Sequence, residues 1–266
     1  MFLLNKIILI FKNILRFIFF KIKYIFLKIH IHLKIKQIIK TMENKHTLNA
    51  NTNNICILLS AGNSTRFCSD IPKQLFIYKN KHLINYSVEA IENNVNLIII
   101  ISNSKNYKKL FEIFKSNNKI VIIINDIDSR LKSIECGFNY IEQNIKLKKL
   151  KNINKIIIHD SARPFIESIH IQKIINETKY YSQYCLKLTN GLIVNKTLAC
   201  LNRDNYSELC TPLCIDYELG IYIFKYIMLP NNIFEFIDVL RIYNIPIKLL
   251  YEEYKILKKI TYISDI

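Results

Sequence analysis

A short apolar run leads into a loop whose residue types suit phosphate binding. Ile55–Leu59 is followed by three small residues, SAG, and then by the cations Arg66 and Lys73. Small residues let a backbone approach a ligand, and a turn of free N–H groups can hold a phosphate. Arg66 and Lys73 would then meet the same anion. The alternative is a tight strand-to-helix turn with solvated cations. A P-loop is excluded because no GKS or GKT follows.

A second apolar run leads into a loop that combines a carboxylate with a guanidinium. Ile156–Ile158 is followed by His159, Asp160 and Arg163. An aspartate at a strand end can bind magnesium beside an anion contact. The alternative is a local Asp–Arg pair in front of a helix that begins at Pro164. We interpret His159 as a structural loop residue rather than as an acid or base.

Alternating strand and helix patterns place both loops in one kind of fold. Continuously apolar runs predict strands, and helical spacing of apolar residues predicts helices between them. Apolar strands separated by helices favour a mostly parallel sheet covered on both faces, with ligands at the carboxyl ends of the strands. The predicted strands are Ile55–Leu59, Leu97–Ile101, 119–124 and Ile156–Ile158, and the predicted helices are 82–93 and 129–143.

Composition bounds the class of partner. The 266-residue chain carries a net charge of +17, but residues 1–40 hold nine Lys/Arg and no acid, so the remainder carries +8. That excess could bind nucleic acid or suit a phosphate-rich substrate. Because no aromatic-basic repeat and no zinc spacing occurs, we predict no nucleic-acid partner. The seven cysteines include no CxxC pair, which indicates unpaired thiols in a reducing compartment.

The first 54 residues differ in character from the rest. Residues 1–40 are basic and apolar, and residues 43–54 read as a polar linker in front of a domain over 55–266. No apolar run reaches the ~18–20 residues that a spanning helix needs. Three readings remain open: a targeting leader, a basic amphipathic anchor that makes the only membrane contact, or a false start ahead of Met42. We expect residues 1–41 to be dispensable for activity.

Both loops resemble motifs of one enzyme family. SAGNSTRFCSDIPKQ resembles the AGxGxRxxxxxPKQ signature of the 2-C-methyl-D-erythritol 4-phosphate cytidylyltransferases, and HDSARP resembles their HD-A/S-ARP motif in its plastid-like form. The resemblance implies an α/β, Rossmann-like nucleotidyltransferase fold with a mostly parallel sheet and a β-arm. It also implies transfer of a cytidylyl group from CTP to 2-C-methyl-D-erythritol 4-phosphate, in non-mevalonate isoprenoid biosynthesis. A real leader would then address the chain to a plastid-type organelle such as an apicoplast, and a false start would leave it cytoplasmic.

The resemblance assigns roles to individual residues. Asp128 and Ser133 match a segment that seats the cytidine, and Arg203 with Thr211 resembles an element that reaches the sugar phosphate across a homodimer interface. Asp160 would hold Mg²⁺ at the α-phosphate of CTP. The implied catalytic residues are Arg66, Lys73, Arg203 and Lys259. The implied substrate-binding residues are Ser60, Ala61, Gly62, Asp128, Ser133, Ser161, Arg163 and Thr211.

Arginine usage supports the resemblance. Only six of the 38 basic residues are arginine, and four of those six stand at arginine positions of the family motifs: Arg66, Arg130, Arg163 and Arg203. In a lysine-biased chain, arginine is expected mainly where its planar fork is needed for phosphate or carboxylate.

The sequence also departs from the family pattern. Ser64 stands where the second glycine of the first signature is usual, and we expect a serine to fit there only with a negative φ. In the expected arm, over 185–206, Gly191 replaces a threonine. The T-D-(D/E) element near 235 is eroded, with Glu235 or Asp238 as its substitute. Two alternatives follow: a cytidylyltransferase for another polyol phosphate such as ribitol 5-phosphate, or a degenerate, non-catalytic nucleotide-binding relative.

Overall fold

The computed structural model describes residues 21–22, 25–43, 52–67, 69 and 71–266 in two compact units, which divide between Ala50 and Asn51. In the first unit, helix α1 covers residues 25–43. No helix within the described part of the chain is both long and apolar enough to cross a membrane. Most of the proposed leader and linker, residues 1–20 and 44–51, lies outside the described residues, so targeting, anchoring and a false start stay predictions.

The second unit is built on a seven-stranded sheet, within the residues described, in the order β11-β7-β10-β6-β1-β4-β5. Its strands are β1 (Asn53–Ser60), β4 (Leu97–Ser102), β5 (Ile120–Ile124), β6 (Ile153–Asp160), β7 (Tyr181–Lys187), β10 (Ser207–Asp216) and β11 (Lys248–Tyr251). Two small hairpins accompany it, β2 (Ile77–Tyr78) with β3 (Lys81–His82), and β8 (Leu192–Ile193) with β9 (Cys200–Leu201).

Helices lie between these strands, and the final helix follows the last strand. They are α2 (Leu83–Ile91), α3 (Ser104–Phe114), α4 (Arg130–Lys146), α5 (Ser168–Glu177), α6 (Tyr217–Ile223), α7 (Leu229–Asn231), α8 (Phe236–Ile242) and α9 (Tyr254–Leu257). A π-helical segment, Phe224–Met228, joins α6 to α7. The six predicted elements are all present, and their observed ends differ from the predicted ends by up to three residues.

The predicted parallel arrangement holds for β5, β4, β1 and β6, which pair in parallel. Burial explains the apolar runs of β1, β4 and β6, whose central residues Ile55–Leu58, Ile98–Ile101 and Ile156–Ile158 are fully inaccessible to solvent. The edge strand β5 is only partly buried, and its last residue, Ile124, is exposed. The one reversed strand among the central ones, β10, pairs antiparallel with both β6 and β7. It runs backwards because the chain leaves β7 through the β8–β9 hairpin and returns beside it. This hairpin lies inside the predicted arm, residues 185–206.

One close contact fixes α4 on the sheet. A Cβ atom added at Gly137 of α4 would stand 2.7–2.9 Å from three side-chain carbons of Ile57, which is buried at the centre of β1. Only glycine lets the helix lie this close to the strand. The N-terminal end of α4 is thereby held over the carboxyl end of β1.

We predict that Gly137→Ala destabilises the fold by about 1–3 kcal/mol, because the added methyl group overpacks this contact. The expected fall in Tm, measured by calorimetry, is about 2–10 °C. Gly191→Ala is the matched control, since its Cβ would meet nothing within 4 Å. Adding Ile57→Val to Gly137→Ala should restore part of the loss. An unchanged Tm in Gly137→Ala would contradict the close contact.

Candidate active site

The carboxyl ends of β1 and β6 form one edge of a cavity. The two strands pair in parallel with Leu59 opposite Asp160, so the loops that follow them lie side by side. The cavity has a volume of about 200 Å³. Nine of the thirteen predicted site residues line it: Ser60, Ala61, Gly62, Lys73, Asp128, Ser133, Asp160, Ser161 and Lys259.

An ion pair crosses the cavity floor. Lys259 Nζ donates to Asp160 Oδ2 at 3.0 Å, which ties the C-terminal segment to the end of β6. Burial opposes ionisation of Asp160, but Lys259 and Arg130 outweigh it and lower its pKa from 3.8 to about 2. The folded pKa lies below the unfolded one. The ionised carboxylate therefore contributes stability that is present above about pH 4 and lost as the pH falls towards 2.

Lys73 brings a second cation to the same floor. It begins a short 3-10 helix, Lys73–Leu75, and its Nζ donates to the Ile260 carbonyl at 3.2 Å. Burial lowers the pKa of Lys73, and the neighbouring charge of Lys259 lowers it further, with a smaller effect from Arg66. Like charges held this close together favour an anion between them.

Ser64 corrects one expectation. Its φ is +56°, in the left-handed region, so the requirement of a negative φ was wrong. The hydroxyl group explains how a serine is held there. Ser64 Oγ accepts from the Lys73 N–H at 3.2 Å and donates to Gln74 Oε1 at 3.2 Å. These contacts compensate for a backbone conformation that glycine adopts freely.

The opposite wall comes from the loop before α4. Asn63 Nδ2 donates to Asp128 Oδ2 at 3.4 Å, which joins the two walls, and Asn125 Nδ2 donates to Ser133 Oγ at 2.9 Å. Ser129 caps α4 by accepting from the Lys132 N–H. Because the N-terminal end of a helix carries partial positive charge, this wall favours electron-rich groups of a ligand.

Ser60 has a buried hydroxyl group in the cavity whose hydrogen-bonding capacity is unsatisfied, since Ser60 Oγ has no hydrogen-bond partner within the described part of the protein. A buried polar atom without a partner is costly unless something else supplies the hydrogen bond. A ligand in the cavity would lie within its reach.

Arg163 and Thr211 lie behind the cavity rather than in it. The Arg163 guanidinium is buried and donates to the Leu257 carbonyl, and Nη2 lies 3.8 Å from Glu208. Thr211 Oγ1 accepts from the Asp160 N–H at 3.1 Å. Both side chains hold the Asp160 loop in place. Neither lines the cavity, so their positions do not indicate contact with a substrate bound there.

His159 supports the same loop. It is fully buried, its Nε2 lies 3.1 Å from the Arg163 carbonyl, and burial lowers its pKa to about 4. The imidazole is therefore neutral near pH 7. This agrees with the interpretation of His159 as a structural loop residue.

The remaining two predicted residues lie farther out. Arg66 is an exposed residue of the 3-10 helix Thr65–Phe67, next to the cavity loop. Arg203 is exposed at the return of the β8–β9 hairpin, where its guanidinium donates to the Thr189 carbonyl. Neither side chain lines the cavity.

Six residues that line the cavity were missing from the predicted set, and three of them are polar or charged: Gln74, Ser129 and Arg130. Glu235 Oε1 lies 3.6 Å from Arg130 Nη1. Arginine usage had already singled out Arg130, and that signal was sufficient to find it. Of the two expected substitutes for the eroded element near 235, Glu235 is the one at the site, whereas Asp238 is exposed on α8.

The site offers few protein ligands for a metal. Among the described residues, no group of three or more His, Cys, Asp or Glu side chains is placed to hold an ion. A cation here would rest on Asp160 and on oxygens of the ligand. Mg²⁺ is commonly bound in this way, through one or two carboxylates and substrate phosphates.

Comparison with known proteins gives a consistent result. A family model described as IspD: 2-C-methyl-D-erythritol 4-phosphate cytidylyltransferase matches residues 55–202. The enzyme of that name from Thermosipho africanus is 27% identical over 186 residues, which cover 68% of this chain and 76% of the relative. The one from Fusobacterium nucleatum is 30% identical over 179 residues, covering 61% and 72%.

Solved structures agree on the fold. The crystal structure of 4-diphosphocytidyl-2C-methyl-D-erythritol synthase from Anaerococcus prevotii matches with a TM-score of 0.63 at 18% identity, over 80% of this chain and 94% of that one. At this identity the likeness establishes the α/β nucleotidyltransferase fold. The family match spans more than half of the chain. The chain therefore belongs to the 2-C-methyl-D-erythritol 4-phosphate cytidylyltransferase family.

Proposed function

We propose that this chain transfers a cytidylyl group from CTP to 2-C-methyl-D-erythritol 4-phosphate, giving 4-diphosphocytidyl-2-C-methyl-D-erythritol and pyrophosphate. The observation that carries the proposal is the cation cluster around Asp160. Lys73, Arg130 and Lys259 converge on one cavity beside a loop of small residues. Such a cluster suits the phosphate groups of CTP and of a phosphorylated acceptor, and family membership identifies the base and the acceptor.

The chemistry needs no general base. A phosphate oxygen of the acceptor is already anionic and displaces pyrophosphate from the α-phosphorus of CTP. Catalysis then consists of positioning and stabilisation of charge. Lys73 and Arg66 act on the triphosphate, and Lys259 acts on the acceptor. His159 takes no part because it is neutral and buried behind the loop.

A turnover assay tests this function directly. Pyrophosphate release from CTP is measured with 2-C-methyl-D-erythritol 4-phosphate and, in parallel, with ribitol 5-phosphate and other polyol phosphates. We expect turnover with the first acceptor alone, both for the full chain and for the chain from Met42. A preference for another acceptor would reassign the substrate, and no turnover with any acceptor would indicate a non-catalytic relative.

We predict that Lys73→Ala and Arg66→Ala each lower kcat/KM by about 10²–10³, as expected when a donor to transition-state charge is removed. Steady-state kinetics with CTP measure the effect. Lys81→Ala is the control, because Lys81 is an exposed cation paired with Glu89 at 2.8 Å. Near-normal turnover in Lys73→Ala or Arg66→Ala would remove that residue from the proposed machinery.

Magnesium fits the donor set described above. Asp160 would hold the ion, because its lowered pKa keeps the carboxylate ionised, and phosphate oxygens of CTP would complete the coordination. When bound, the ion would neutralise charge on the phosphates. Lys259 keeps its own role, since its ammonium group holds the carboxylate in place in the absence of a ligand.

We predict that Asp160→Asn raises the Mg²⁺ concentration needed for half-maximal turnover by more than about tenfold, a range that loss of even an outer-shell partner produces. Activity is titrated against Mg²⁺ at saturating CTP. Glu112→Gln, which neutralises an exposed acid on α3, should leave the curve in place. An unshifted curve for Asp160→Asn would show that the ion is held elsewhere.

The hairpin suggests how a second chain completes the site. Ile193 and Leu198 are 54% and 72% exposed, and an isolated hairpin is only marginally stable in water. Arg203 stands at its return, outside the cavity of its own chain. We propose a homodimer in which each hairpin, with Arg203, covers the partner's site, since a two-fold pair would bury both hairpins by the same contacts.

We predict that mixing Arg203→Ala protein with Lys73→Ala protein restores part of the activity that each lacks alone. A mixed dimer contains one site with both residues intact, because Lys73 comes from one chain and Arg203 from the other. Turnover is measured after subunit exchange has been verified by mass. Absence of recovery, or a fully active monomer, would contradict the shared site.

A further inference from the structure

Ser64 departs from the glycine of the family signature at the loop beside the cavity, and its surroundings suggest a function. We propose that Ser64 is a positioning residue, whose hydroxyl fixes Lys73 for the triphosphate of CTP. The proposal rests on the proposed function, since it names a residue of this chain that acts through a group of that site. Glycine at this position could not make the contacts described next.

A continuous set of hydrogen bonds links Lys73 to the central sheet. Ser64 Oγ accepts from the Lys73 N–H at 3.2 Å and donates to Gln74 Oε1 at 3.2 Å. Gln74 Nε2 in turn donates to the Ser60 carbonyl at 3.2 Å, at the last residue of β1. These bonds fix the position of the Lys73 backbone relative to the end of β1.

Burial makes this set of bonds specific. Gln74 is only 2% exposed, and water is therefore poorly placed to replace its amide contacts. With Gln74 held by Ser60, its Oε1 offers one fixed acceptor to the loop. A left-handed φ at Ser64 aims the hydroxyl at that acceptor and at the Lys73 N–H together. The unusual conformation and the hydroxyl are thus two parts of one arrangement.

If the Ser64 hydroxyl only stabilised its own turn, the effects of its removal would differ from those expected for a positioning residue. Its loss would then alter folding stability without a selective effect on CTP. If it positions Lys73, its loss should weaken CTP binding while the KM of the acceptor stays unchanged. Lys73 Nζ donates to the Ile260 carbonyl beside the cavity. A shift of the Lys73 backbone would therefore change where its ammonium group lies.

The test compares Ser64→Gly and Ser64→Ala with the unaltered chain. Ser64→Gly relieves the strain of the left-handed backbone and removes both hydrogen bonds of the hydroxyl group. Ser64→Ala removes the two hydrogen bonds and keeps the strain. If the two neutral hydrogen bonds hold Lys73 in its binding position, their loss lowers the population of that conformation, and with it the apparent affinity for CTP, by about tenfold. We expect the Kd of CTP with Mg²⁺, by calorimetric titration, and the KM of CTP each to rise by about tenfold in both variants. The acceptor KM should stay within about twofold, and the Tm of Ser64→Gly within about 3 °C.

Two further variants sharpen the comparison. Asn244→Gly is the matched control, because Asn244 also has a positive φ, +54°, but lies in the loop after α8, outside the cavity lining. It should leave the affinity for CTP unchanged. In a Gln74→Ala background, Ser64→Gly should have a smaller effect than on its own, because contacting residues are coupled.

The outcomes separate this proposal from the function it rests on. An unchanged CTP affinity in Ser64→Gly, an equal rise in the acceptor KM, or no CTP affinity in the unaltered chain would overturn the role of Ser64. If the unaltered chain binds CTP but turns over no acceptor, then the proposed reaction fails. The calorimetric comparison of the Ser64 variants would still decide the positioning role in that case.

Discussion

The ion pair between Asp160 and Lys259 is the interaction on which the site depends. A carboxylate at the end of a buried strand is unfavourable unless cations compensate it. Here Lys259, 3.0 Å away, and Arg130 at the start of α4 supply that compensation. The pair therefore requires three parts of the chain, β6, α4 and the C-terminal segment, to meet at one point. When they meet, they form much of the cavity, and the loop after β1 supplies the remaining wall.

Support for this pair comes from residues that never reach the cavity. Arg163 holds the segment before Lys259 through the Leu257 carbonyl, and Thr211 accepts from the Asp160 N–H. His159 packs beneath the same loop in its neutral form. Their types match the family motifs as strictly as the cavity residues do. A motif residue can therefore act by holding a neighbour, and spacing alone does not distinguish that role from contact with a substrate.

Much of the fold and most of the site could be predicted from local signals. Continuous apolar runs identified β1, β4, β5 and β6, because the strands of a sheet covered on both faces carry apolar residues along most of their length. Loops at the ends of adjacent parallel strands must meet, which brought Lys73 and Asp160 to one cavity. The antiparallel β10 carried no comparable signal. Its direction follows from the return of the hairpin, and the residues of β10 by themselves did not predict that return.

The sequence by itself determined the class of chemistry, since a loop of small residues with two cations and an aspartate beside an arginine suit phosphate and metal in any fold. Only the tertiary structure decided which residues face the ligand. It turned Arg163 inward, brought Arg130 with Glu235 to the cavity, and gave Ser64 a left-handed backbone held by hydrogen bonds from residues nine and ten positions away. The reason is physical: burial, charge compensation and φ depend on neighbours that only the folded chain brings together.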